Sequence, residues 1–164
     1  MKSLLGMTFA LLAGLASRDA PAPALASPLQ GSWTLVAADK LLPDGTRVPD
    51  YGQSPRGRLI IDAQGRYSLQ IFKAERLHFA SGDKARASAE EYAAAALGSS
   101  THYGTLDVDA VHGVLSFHIE GASFPNWEGT LQQRRYSLEG DVLSYRVPPR
   151  ADGSVPLSVW RRLE

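Results

Sequence analysis

Val114 to Tyr136 reads V-L-S-F-H-I-E, then G-A-S-F-P-N-W-E-G, then T-L-Q-Q-R-R-Y. Two alternating runs flank a bend rich in Gly, Pro and Asn, the pattern of neighbouring antiparallel strands. Side chains alternate along a strand, so Leu115, Phe117 and Ile119 share one face, and Ser116, His118 and Glu120 the other. In the second run Gln132 and Arg134 share a face. Directly opposed cross-strand residues approach within ~5 Å. If the polar face is internal, His118, Glu120 and Arg134 form a paired cluster that can hold a ligand carboxylate or carbonyl, or move a proton. If it is external, Leu115, Phe117 and Ile119 fill the core and the polar residues meet water. Simple amphipathic alternation favours the external arrangement; a ligand-binding barrel with a mixed-polarity interior favours the internal one.

Around this stretch the chain continues in the same vein. Strands are expected at Leu29–Lys40, Gly57–Asp62, Arg66–Phe72, Thr101–Asp109, Val142–Val147 and Val155–Leu163, besides the two just quoted. Most joins are short turns marked by Gly, Pro, Asn or Asp, such as Ala63-Gln64-Gly65 and Glu139-Gly140-Asp141. Eight strands in about 135 residues point to a closed antiparallel barrel, which removes exposed edges and encloses room for one small ligand. One helix interrupts the pattern between the third and fourth of these strands. Ser88 is a suitable N-cap, Glu91 completes a capping box, Glu90 and Glu91 complement the dipole, and Gly98 can close the end. At about ten residues it must dock on something to persist. It is either a surface crossover or a lid over the barrel mouth.

The 164 residues suggest a single domain, and 44% apolar with 21% charged residues is an ordinary globular balance. Seventeen basic and seventeen acidic residues cancel, so there is no basic field for nucleic acid or an anionic membrane. The absence of cysteine removes disulfides, thiolate nucleophiles, cysteine metal sites and a lipidated anchor. Lys2 followed by an apolar run from Leu4 to Ala16 reads as an export signal rather than a spanning helix, which needs ~20 residues. Ala24-Leu25-Ala26 is an A-x-A cleavage site, so residues 1–26 are expected to be a signal peptide and 27–164 the barrel domain. Without Lys2, Arg18 and Asp19, 15 basic and 16 acidic residues remain. The expected location is periplasmic or secreted, with no stable membrane anchor after cleavage.

Four pieces carry a resemblance to a known family: G-S-W-T-L-V at Gly31–Val36, G-R-Y-S-L-Q-I at Gly65–Ile71, Y-G-T-L-D-V at Tyr103–Val108, and H-I-E-G-A-S-F-P-N-W-E-G-T at His118–Thr130, with Arg134 beyond. From Leu29 to Leu163 the chain resembles the bacterial and fungal lipocalin-like domain family, small barrels distinct from the vertebrate lipocalins. The resemblance implies an eight-stranded barrel with an internal pocket. Related barrels bind small hydrophobic molecules, and some act as cofactor-free cyclases or isomerases. The Lys73–Gly98 insertion departs from the wider lipocalin pattern.

The candidate ligand-binding residues are His118, Glu120, Gln132, Arg134, Gln70, Tyr103, Asn126 and Trp127. Gln70 shares its face with Ser68 and can join a polar interior. Tyr103, like Tyr145, offers a hydroxyl. Trp127 can stack on a ligand at the rim or staple the bend to the core. Should the barrel be an enzyme, His118, Glu120 and Arg134 are the catalytic candidates. Neither H-x-H nor H-E-x-x-H occurs, so no metal is expected. G-x-S-x-G, G-x-G-x-x-G and the P-loop are also missing, so no cofactor is expected. The two functional readings are an exported binder of a small hydrophobic molecule and a cofactor-free isomerase or cyclase.

Overall fold

The structure is a computed structural model that describes residues 27–164. The expected signal peptide lies outside the described residues. Nine strands, β1 (Gly31–Leu41), β2 (Arg47–Pro49), β3 (Arg56–Ile61), β4 (Arg66–Phe72), β5 (Ser99–Asp109), β6 (Val114–Ala122), β7 (Leu131–Glu139), β8 (Val142–Arg146) and β9 (Val155–Arg162), are joined antiparallel. Eight of them close on themselves, because β1 pairs with β3 along one edge and with β9 along the other. The barrel seam runs from Trp33 opposite Arg162 to Leu41 opposite Val155. β2 lies outside this ring, a short ribbon on the end of β1.

The helix α1 (Ala89–Leu97) follows β4, not the third strand as the sequence suggested, because the Pro43–Pro49 segment contributes β2. Its ends form as the sequence predicts. The Glu91 amide donates to Ser88 Oγ at 3.2 Å, and the Ser88 amide donates to Glu91 Oε2 at 2.8 Å. None of its residues is buried. Glu91 and Tyr92 instead tie it to the preceding loop, through the Ala80 amide and the Lys84 carbonyl. It is a surface crossover.

The inward face is set by alternation, corrected twice by β-bulges. β1 carries Trp33 and Leu35 inward, then slips one residue at Val36, so Ala38 rather than Ala37 continues the interior. β6 carries Leu115, Phe117 and Ile119 inward and slips at Glu120, which opposes no residue of β5. Gly104 sits opposite this slip with φ 156°, and a Cβ there would lie 2.0 Å from the His118 carbonyl oxygen. Only glycine fits so close a strand approach.

The two barrel ends differ. At one end the connections are tight turns at 62–65, 110–113 and 140–141, and Leu29 and Trp33 fill the opening with no exposure. The Trp33 indole Nε1 donates to the Leu29 carbonyl at 2.9 Å, fixing the plug. Arg162 covers it from outside, 4.1 Å above the Trp33 ring centre. At the other end the connections are long, at 42–55, 73–98, 123–130 and 147–154, and they surround an opening.

Candidate functional site

Below the opening lies a cavity of ≈ 370 Å3. It is near the lower bound of about 300 Å3 for small-molecule sites. Its walls are largely apolar: Tyr51, Leu69, Ile71, Trp127, Val147 and Pro148. His102, Gln132, Arg134, Tyr145 and Ser158 give it polar atoms. The rim carries Asp39, Asp50 and Arg150. Both rim carboxylates are spoken for. Asp50 takes Arg150 through a two-pronged pair at 3.1 and 2.5 Å and Lys40 at 3.7 Å, and Asp39 takes Arg47 at 2.6 Å.

The cation among these wall groups is Arg134. β7 presents it inward because Arg134 lies directly opposite Leu115, and Gln132 opposite Phe117. Opposed residues share a face. The guanidinium lies 4.1 Å from the Phe117 ring centre and 5.2 Å from that of Tyr145. Phe117 is wholly buried and does not reach the cavity, so Arg134 divides the packed half of the barrel from the hollow half. Arg134 is 5% exposed, and it makes no ion pair among the described residues. Its two hydrogen bonds both leave from Nη2, to Gln132 Oε1 at 2.9 Å and to His102 Nε2 at 3.2 Å. Its Nε has no partner, and neither does the buried Tyr145 hydroxyl.

His102 links this cation to the core. A guanidinium only donates, so His102 Nε2 must accept. The ring proton is thereby assigned to Nδ1, which donates to the Tyr67 hydroxyl at 2.8 Å. Burial, and then the neighbouring Arg134 charge, push the His102 pKa down to about 3. The imidazole is therefore neutral near pH 7. Burial raises the Tyr67 pKa, so its hydroxyl keeps its proton. Burial also lowers the Arg134 pKa, and a guanidinium keeps its proton in proteins. The result is one fixed positive charge among neutral groups. Trp127 meets the His102 ring edge-on at 6.0 Å and Phe124 at 5.5 Å. It both staples the bend and forms the cavity wall.

Three of the eight sequence candidates, Gln132, Arg134 and Trp127, meet in this cavity. The others do not. His118 points outward opposite Leu131 and pairs with Asp107 at 2.8 Å on the barrel surface. Glu120 is exposed at its bulge. The proposed His118–Glu120–Arg134 cluster does not form, because the register puts Arg134 on the Leu115 face and His118 on the opposite one. Gln70 faces outward between inward Leu69 and Ile71. Tyr103 lies outside, its ring over Gly121, where a Cβ would come within 2.4 Å of it. Asn126 is exposed in the single turn of 3-10 helix at Pro125–Trp127. Sequence reasoning missed His102, though a signal was present: His102, Gly104, Leu106 and Val108 alternate on one face, so an inward Leu106 carries His102 inward.

These features define a class, the small antiparallel barrel closed at one end and hollow beneath long loops at the other. The model of the lipocalin-like domain matches residues 30–162, and the chain belongs to that family. It matches no curated protein and no solved structure.

Proposed function

We propose that this barrel is an exported protein that binds a small, largely apolar molecule in the cavity beneath its long loops. The observation that carries the reading is the cavity itself: ≈ 370 Å3, walled by aromatic and aliphatic side chains, in a barrel otherwise packed with large buried residues. A chain able to plug one end with Leu29 and Trp33 leaves the other end open, and apolar walls favour an apolar occupant by removing its surface from water. The family supports the same reading at the level of fold. Export rests on the leader pattern, Lys2, Leu4–Ala16 and Ala24-Leu25-Ala26.

Titration with the neutral dye N-phenyl-1-naphthylamine tests the binding. A saturable fluorescence rise, reversed by apolar competitors, is expected. A dye signal that never saturates would sink the reading. The export claim has its own check: intact mass of the protein recovered from the envelope of a bacterial host, expected to begin at Ser27. The isomerase or cyclase reading loses its cluster, since His118 and Glu120 lie outside the cavity that holds Arg134.

A further inference from the structure

We infer that the occupant of this cavity is a carboxylic acid bound as its anion, carboxylate inward on Arg134 and apolar body toward the loops. The inference rests on the binding reading above and narrows it. A charge removed from water is costly unless paired, and proteins normally supply the pair themselves. Here the chain does not. Arg134 is 5% exposed and without a carboxylate among the described residues, while both rim carboxylates, Asp39 and Asp50, are held by other cations. Arg134 lines the cavity, and its Nη1 makes no hydrogen bond among the described residues.

The remaining neighbours sharpen the chemistry. His102 Nε2 and Gln132 Oε1 already take the two Nη2 protons. They hold the guanidinium plane in place and leave Nη1, which makes no hydrogen bond among the described residues, for the occupant. A carboxylate oxygen can accept from Nη1 in a single charge-assisted hydrogen bond. One cation calls for one negative charge. A phosphate dianion would bring a second, with no other free cation in the pocket to meet it, since Arg150 is engaged by Asp50. A cavity of ≈ 370 Å3 suits a medium-chain or single-ring acid rather than a long lipid.

Isothermal titration calorimetry at pH 7 with decanoate and with 1-decanol, beside the neutral dye, tests this on the mature protein. Decanoate is expected to bind at least tenfold more tightly than decanol. The preference should vanish in Arg134→Gln while the dye still binds. Equal affinity for acid and alcohol, or a preference that survives Arg134→Gln, overturns the acid assignment but leaves the binding reading intact if the dye saturates. Binding by none of the three overturns both. Should Arg134→Gln fail to fold, the wild-type arginine side-chain NMR spectrum decides: decanoate must shift the Arg134 Nη–H resonance downfield and decanol must not. An unmoved resonance at saturating decanoate overturns the proposal.

Discussion

Two arginines in this barrel stack on aromatic rings at the same distance, 4.1 Å, and do opposite things. Arg162 covers Trp33 at the closed end. Both of its Nη atoms find acceptors, Nη1 on the Gln30 carbonyl and Nη2 on the Pro28 carbonyl, both at 2.6 Å, and its Nε lies 3.3 Å from Asp141 Oδ1 in an ion pair. It ties the segment before β1 to the end of β9. Arg134 covers Phe117 at the base of the open end. It satisfies only Nη2. The stacking geometry is common to both and so explains neither role. What separates them is where the donors go. A guanidinium anchored at both Nη atoms by backbone carbonyls fastens the chain; one with an Nη left over at a cavity is free to take a ligand.

The sharpest way to break this contrast is to remove the plug that Arg162 fastens. Trp33→Ala should cost ~3–5 kcal/mol, as large core deletions do, read as a fall in the denaturant midpoint. A loss below 1 kcal/mol would mean that the closed end is not a structural core. The next effect is in the pH dependence of the open end. His102 titrates at about 3 in the fold against 6.5 free, so between these values the unfolded chain binds the extra proton. Stability therefore falls as pH drops through that window, by about 1.4 kcal/mol per unit. His102→Gln preserves an acceptor for Arg134 and a donor for Tyr67 but cannot titrate. Its urea-melt stability should drop less steeply than that of the wild type between pH 6 and 4, and parallel curves would remove His102 from the account.

The two arginines can also be exchanged for methionine. Arg162→Met should destabilise by roughly 1–3 kcal/mol, for lost charged hydrogen bonds and a lost cation–π contact. Arg134→Met should cost less than that, or even stabilise, because it removes a buried charge that nothing on the chain neutralises. A reversed order in thermal melts would mean that Arg134 is a fastener after all. The smallest effect is expected outside. His118→Ala and Glu120→Ala should shift stability by no more than about 0.5 kcal/mol, as exposed positions do, and leave dye affinity unchanged. A clear loss of dye binding would return them to the site.

The barrel was legible because its strands alternate and its turns are punctuated. Tyr67, Leu69 and Ile71, and Leu115, Phe117 and Ile119, point inward as the period of two requires. The helix cap was legible because it is local, set by Ser88 and Glu91 alone. The site was only half legible, because it depends on pairing. Whether Arg134 shares a face with His118 or with Leu115 is decided by how the Phe124–Thr130 bend sets the β6–β7 register, and a shift of one residue exchanges the faces. The same holds for the bulge at Glu120, which no alternation announces. The lone charge of Arg134 was legible as a residue and invisible as a state, since its lack of a partner is a property of every strand around it.

The seam between β1 and β9 has a temporal meaning. It joins Thr34 to Arg161, nearly the whole described chain apart. Contacts between such distant residues must overcome a large loop-closure entropy before they stabilise anything, which places sandwiches and barrels of this kind among the slow folders, on the order of milliseconds to seconds. The barrel cannot shut until its last strand has been synthesised and brought round. Until that moment β1 and β9 are open edges, and Arg134 still faces water. Closure is thus the step at which an ordinary hydrated arginine becomes a buried one.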